Sequence, residues 1–389
     1  MRGVAKLGFT LPTPIQAQAI PAALAGRDVL ASAMTGSGKT LAFGLPVLNA
    51  ILQQPRGKTR ALILAPTREL AVQIRDSLVA AAKLTPLRIA AVYGGVGMAN
   101  QELAFKKNVD VIVATPGRLL DHLNRPYGKL DGIEHLVLDE ADRMLDMGFL
   151  PAIRRVLARL PKQRQNLCFS ATIPPEIASL LAEILVDPVR VELARKAAPA
   201  TGITQSVYHV AQDGKSRLLL ELLKDNGIFS IIAFTRTKSR ADRLAKVLAT
   251  NGVPAERIHG DRSQAQRVRA LTGFKEGKYR VLVATDIAAR GIDISTLSHV
   301  LNFDVPSVPD DYIHRVGRTG RAELEGDAIT FVAPDEERSL RDIERALGKK
   351  LPRKRVEGFE PALAASAAPA PQARRRGPAP RTGRASARA

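Results

Sequence analysis

The chain of 389 residues contains one cysteine, no tryptophan and only 4% aromatic residues. A single thiol forms no internal disulfide, which excludes a disulfide-stapled secreted scaffold. Cys168, set in the apolar run NLCFSAT, reads as a buried small residue in a reducing compartment. Scarce aromatics leave little surface for base stacking, so a nucleic-acid partner would be gripped through phosphate and sugar. The six histidines, no two within ten positions of each other, form no metal-ligand cluster with one thiol. His122, His135, His209 and His299 read as structural or surface residues. No run approaches the ~18 apolar residues of a membrane span. Near the N-terminus, LGFTLPTPIQAQAIPAALAG has the apolar content of a signal peptide, but Pro12, Pro14, Gln16, Gln18 and Pro21 break it. Acidic residues are also in deficit, with 58 Lys and Arg against 38 Asp and Glu and a net charge of +20. That balance favours nucleic acid over an acidic protein or a membrane.

The chain is too long for one ordinary core, and a hydrophobic content of 45% fills two. Short apolar runs (DVLASA, ALILAP, RIAAVYGG, VDVIVAT, HLVLDE and NLCFSAT, then SIIAFT, RVLVATD, HVLNFDVP and DAITFVAP) alternate with longer amphipathic segments. This is the rhythm of parallel, doubly wound α/β sheets, in which ligands bind beyond the carboxyl ends of the strands. The patternless LARKAAPATGITQ divides the two sets. The expected organisation is a first domain over 1–195, a linker over 196–203, a second domain over 204–350 and a basic tail over 351–389. Residues 353–389 hold nine Lys or Arg against two Glu, in Ala- and Pro-rich sequence without a periodic apolar face. Such a segment is expected to be disordered and drawn to polyanions.

Three polar signatures follow apolar runs. ASAMTGSGKT, residues 31–40, lies between a strand-like run and a helix-like one. Ala33 stands where the simple GxxxxGK[S/T] pattern has its first glycine, but TGSGKT is intact. Backbone N–H groups over Ala33, Met34, Thr35, Gly36, Ser37 and Gly38 then face phosphate oxygens, Lys39 reaches the β and γ phosphates, and Thr40 holds magnesium. The run HLVLDEAD stops at Asp139, suited to hold magnesium, with Glu140 beside it to orient or deprotonate an attacking water. VPDDYIHRV reads as a short helix started by Pro309, Asp310 and Asp311 and ended by Gly317. It leads into HRVGRTGR, which sets Arg315, Arg318 and Arg321 at steps of three and contains no carboxylate of its own to pair them.

Together, DEAD at Asp139 to Asp142 and HRVGRTGR at His314 to Arg321 resemble the DEAD-box RNA helicases. The resemblance covers residues 3 to about 345 in the family's order, and DEADRMLDMGF looks most like the bacterial RhlE type. It implies two tandem RecA-like domains that close on ATP, with Mg2+, and on single-stranded or short duplex RNA irrespective of base sequence. GFTLPTPIQ resembles the adenine-reading Q motif, with Gln16 as reader. PTRELA, GG and TPGR resemble the first-domain RNA contacts, here Thr67, Arg68, Gly94, Gly95, Thr115, Pro116, Gly117 and Arg118. Ser170 and Thr172 of SAT, with Asp142 and His314, correspond to residues that couple hydrolysis to unwinding. In the second half, Arg236 of FTRTK, Gln264, Arg267, Thr285 and Asp286 correspond to RNA contacts and Asp293 to an ATP contact. Arg318 and Arg321 correspond to fingers that reach the γ-phosphate once the domains close. The family's adenine-stacking phenylalanine lies upstream of the Q motif, where a sequence beginning at Met1 carries none: either the start is misassigned or truncated, or nucleotide selectivity rests more heavily on Gln16. A cytoplasmic enzyme associated with ribosome assembly or RNA decay is the expected setting. The rival readings are an ATP-timed RNA clamp or annealer without productive unwinding, and a DNA translocase.

Overall fold

The computed structural model describes residues 3, 6–32, 37–192, 202–225, 227–289, 297–320, 326–356 and 359. Two α/β domains each form around a wholly parallel sheet. The first sheet has seven strands: β1 (Val29–Ser32), β2 (Ala61–Leu64), β3 (Ile89–Val92), β4 (Val111–Ala114), β5 (His135–Asp139), β6 (Gln165–Ser170) and β7 (Val189–Glu192). Their spatial order is β3-β4-β2-β5-β6-β1-β7. ALIL and VIVA are buried along their whole length, as continuous apolar runs must be when helices cover both faces. Alternate residues serve opposite faces. Ile63, Val113, Val137 and Phe169 enter one core, with the helices Pro14–Leu24, Lys39–Leu52 and Arg68–Ala81. Leu62, Ile112, Leu136 and Cys168 enter the other, beneath the helices Ala99–Lys106, Pro116–Leu123, Leu150–Leu157 and Pro175–Ile184. Cys168 is 1% exposed and burial pushes its thiol pKa up, in keeping with a packing role.

The second sheet has six strands: β8 (Ile203–His209), β9 (Ile231–Thr235), β10 (Ala255–Ile258), β11 (Val281–Thr285), β12 (His299–Asn302) and β13 (Gly326–Val332), in the order β10-β11-β9-β12-β13-β8. The helix expected before HRVGRTGR spans Pro309–Val316, with Pro309 in its first turn and Gly317 as its C-cap.

Two boundaries differ from expectation. Ile203, placed in the linker, begins β8; the rest of the linker over 196–201 lies outside the described residues. The tail does not begin at 351. Leu351 is 2% exposed in the second domain's core, Val207 N donates to Pro352 O at 2.8 Å, and Lys354 N donates to Val207 O at 2.8 Å. Residues 351–356 therefore form a strap along the outer edge of β8, and Arg353 is held there by Glu344.

Candidate nucleotide and nucleic-acid site

The strand order places the nucleotide signatures side by side, because β1, β6 and β5 are neighbours whose carboxyl ends lead to the phosphate loop, to Ser170–Thr172 and to Asp139–Asp142. Residues 33–36, with Ala33, Met34, Thr35 and Gly36, lie outside the described residues. Gly38 is in the left-handed region at φ 93° and caps the helix that begins at Lys39. A Cβ there would meet Gln16 Nε2 at 2.7 Å and Thr13 Oγ1 at 2.8 Å, so only glycine lets the loop approach this segment. Gln16 fastens the contact: its Oε1 accepts from Thr13 N at 3.0 Å and its Nε2 donates to Gly38 O at 3.1 Å. The residue expected to read adenine is thus bonded to the loop expected to hold phosphate.

Lys39 is 6% exposed, and its Nζ lies 3.9 Å from Asp139 Oδ1. Burial raises the Asp139 carboxyl to about 6; Lys39 opposes the rise and Glu140 adds to it. Asp139 Oδ1 is fully buried without a hydrogen-bond partner, an acceptor suited to a cation. Glu140 adopts φ 52° and ψ 55°, unusual for a side-chain-bearing residue, and its Oε2 lies 3.3 Å from Arg143 Nη1. Asp142 is the centre of a knot. Its Oδ2 accepts from Thr172 N at 2.7 Å and from Thr172 Oγ1 at 2.9 Å, while its own N–H donates to Ser170 Oγ at 3.0 Å. Ser170 Oγ in turn donates to Thr172 O at 2.7 Å. The three residues expected to couple hydrolysis to unwinding within this domain are directly bonded.

The expected nucleic-acid contacts follow the other half of the sheet, β2, β4 and β3. Thr67 caps the helix Arg68–Ala81, its Oγ1 accepting from Leu70 N at 3.3 Å. Arg68 lies over Gly94 and Gly95, and a Cβ on Gly95 would overlap its guanidinium. Thr115 and Pro116 open the helix Pro116–Leu123, Gly117 is exposed, and Arg118 Nη1 donates to Val96 O at 2.8 Å. Arg118 thereby holds the Gly94–Gly95 loop in place.

The second domain gives several of the expected residues partners within the protein. Arg315 has a partner in its own domain: its Nε and Nη2 bond the two carboxylate oxygens of Asp286 at 2.6 and 2.7 Å, and Nη1 reaches Asp304 O at 2.8 Å. Only 3% exposed, it braces the domain, and Asp286 serves that brace where an RNA contact was expected. Arg267, also expected at RNA, is 7% exposed and crosses between domains, its Nη2 lying 2.9 Å from Glu69 Oε2. Gln264 Nε2 donates to Glu69 Oε1 at 3.4 Å. Glu69 went unnoticed inside PTRELA. Arg236 is half exposed beyond β9, and Thr285 is buried. His314 and Arg318 lie at and beyond the end of the helix Pro309–Val316, with Arg318 6% exposed. Asp293 and Arg321 fall outside the described residues.

Two linked parallel-sheet domains, with a P-loop lysine facing a buried aspartate in one and a basic helix end in the other, define a nucleotide-driven two-domain motor. The descriptions "DEAD/DEAH box helicase" and "Helicase conserved C-terminal domain" match residues 13–180 and 214–323. The chain is 46% identical over 351 residues to the ATP-dependent RNA helicase CshA of Listeria monocytogenes, covering 90% of this chain and 67% of that protein. It is 43% identical over 363 residues to the DEAD-box ATP-dependent RNA helicase CshA of Bacillus subtilis, covering 93% and 73%. The structure of S. cerevisiae Dbp5 bound to RNA and ADP BeF3 matches with a TM-score of 0.82 at 34% identity, over 91% of this chain and 92% of that one. The chain belongs to the DEAD-box ATP-dependent RNA helicases and is an RNA-stimulated ATPase. The expected RhlE type is not supported by these relatives, which carry the CshA name.

Proposed function

We propose that hydrolysis and RNA grip are joined through the knot of Asp142, Ser170 and Thr172, and that Glu69 locks the closed state by accepting Arg267 from the second domain. The observation that carries this reading is the buried pair of Glu69 and Arg267, since an ion pair across two domains exists only when they are closed. ATP enters between the Gln16 segment and the phosphate loop, with Lys39 at its phosphates. Asp139 and Thr40 fit magnesium, which when bound neutralises phosphate charge, and the lack of a hydrogen-bond donor to Asp139 Oδ1 supports that fit. Glu140 orients and deprotonates the attacking water, and Arg318 with Arg321 approaches the γ-phosphate from the second domain. RNA runs over Thr67, Arg68, Gly94, Gly95, Thr115 and Gly117 and continues past Arg236. These are backbone and guanidinium contacts blind to base sequence. Strand separation follows from the bend that closure imposes on one strand. The working domain limits are residues 1–195 and 203–359, followed by a basic tail that tethers RNA.

No described helix is long and apolar enough to cross a membrane. We place the protein in the cytoplasm, acting on ribosomal or decaying RNA-protein particles. The decisive experiment compares ATPase stimulation by RNA and DNA of equal length, together with displacement of a short RNA duplex. Stimulation by RNA alone with ATP-dependent displacement is expected. Equal stimulation by DNA, or RNA binding without displacement, would replace this reading by a DNA translocase or a clamp respectively.

A further inference from the structure

Beneath the Arg236 loop lies a buried charged cluster outside every signature read from the sequence. Lys215, 0% exposed, donates from Nζ to Phe303 O at 2.8 Å and Glu336 Oε2 at 2.5 Å, and lies 3.5 Å from Asp304 Oδ1. Asp304 and Glu336 are themselves 0% and 1% exposed. Glu336 Oε1 accepts from Arg236 Nη2 at 2.8 Å and from Val305 N at 3.2 Å, while Oε2 accepts from Ala333 N at 3.1 Å. Asp304 Oδ2 accepts from Arg236 N at 2.8 Å, and Oδ1 accepts from Arg240 Nη1 at 2.7 Å. The loops after β9, β12 and β13, three adjacent strands, are thus stapled at their carboxyl ends by one lysine and two carboxylates. A buried ion set of this kind costs desolvation and is weak evidence of a stability role; what it fixes is geometry.

We propose that Lys215 is a positioning residue for RNA: by holding Asp304 and Glu336 in register, it fixes both the backbone and the guanidinium of Arg236. Without the ammonium, the two carboxylates lose the one group that bridges them: besides Arg236, Asp304 keeps Arg240 and Glu336 keeps the N–H groups of Val305 and Ala333, but nothing ties one to the other. The two carboxylates that hold the backbone and the guanidinium of Arg236 then loosen together. The proposal rests on the reading of Arg236 as an RNA contact, so the test separates the two.

In the full chain, Lys215→Met and Glu336→Gln are compared with Arg236→Ala and with the double variant Lys215→Met/Arg236→Ala, measuring RNA-stimulated ATPase and thermal unfolding. Lys215→Met and Glu336→Gln should each raise KM for single-stranded RNA about tenfold or more, leaving kcat at saturating RNA within about twofold. The double variant should be no worse than Arg236→Ala alone, since Lys215 acts through Arg236. A wild-type KM in a folded Lys215→Met, or losses that multiply in the double variant, would overturn the proposal and leave the Arg236 reading standing. If Lys215→Met fails to fold, Glu336→Gln, which keeps the side chain's shape, decides on the same criterion. An unchanged KM in Arg236→Ala would remove Arg236 from the RNA path and the proposal with it.

Discussion

Replacing Glu69 by alanine should cripple closure while sparing each domain. Glu69 and Arg267 side chains are 7% and 8% exposed, 2.9 Å apart, and Gln264 adds a second bond to the same carboxylate. Burial of Arg267 pulls its pKa below the ordinary value; Glu69 acts against that, and nearby Arg68 reinforces it. Removing the carboxylate leaves a desolvated guanidinium facing Arg68. Breaking a buried pair from one side costs about 3–5 kcal/mol, and because this pair joins the two domains the loss falls on the closing step. The lower end, about 3 kcal/mol, is roughly a hundredfold in the closure equilibrium. Glu69→Ala should therefore raise the RNA needed for half-maximal ATPase by about that factor, with thermal unfolding little changed. Because the damage comes from an unpaired charge, Glu69→Ala/Arg267→Ala should be milder than Glu69→Ala alone. A folded Glu69→Ala enzyme within about threefold of wild type would refute the latch.

Glu140→Gln should keep ATP and RNA binding, prolong the hold on RNA, and slow hydrolysis by at least about a hundredfold, as loss of a general base does; normal turnover would show that another group activates the water. Deleting residues 361–389 removes six arginines and no acid. RNA affinity should fall, and the log-log salt slope should flatten by ~0.7 for each RNA phosphate that is no longer neutralised. An unchanged slope would exclude the tether. Burial is the leading cause that lowers the pKa of His122, His135 and His299 below the usual 6.5. The unfolded chain takes up these protons first, so the histidines subtract stability as pH falls below 6.5. The raised Asp139 carboxyl works the other way, gaining stability as pH falls through about 6. Against that mixed background, His135→Gln should make the decline between about pH 7 and 5.5 shallower, by at most about 1.4 kcal/mol per pH unit. An identical pH dependence in unfolding experiments would contradict this assignment.

All ten apolar runs read from the sequence became strands, because a strand covered on both faces has little freedom to be polar. The three strands that were not read, β7, β8 and β10, each end a sheet, and their sequences VRVE, ITQSVYH and AERI mix polar with apolar residues as half-wet edges do. The nucleotide half of the site was legible for a similar reason, since short loops after neighbouring strands put their residues in one place. Ion pairing was not. Arg315 and Asp286 are 29 residues apart, and Gln264 and Glu69 are 195 apart in separate domains. Nothing local marks which arginine will meet phosphate and which will meet a carboxylate. Gln16 was singled out as a reader of adenine, but its bond to Gly38 O depends on a left-handed glycine whose conformation no residue pattern announces.

The strap over residues 351–356 bears on how the protein stays in solution. Val207 is fully buried, and its N–H and C=O are taken by Pro352 and Lys354. A chain ending at 350 would leave those groups open along the outermost strand of the second sheet, a template on which another molecule's strand can add. The same cut strips the cover of Leu351 from the core and frees Glu344 from Arg353. Such a protein should self-associate at concentrations where one ending at 359 stays monodisperse, and light scattering on the pair would register the difference. The strap therefore seals an adhesive edge, whatever the arginines beyond it do with RNA.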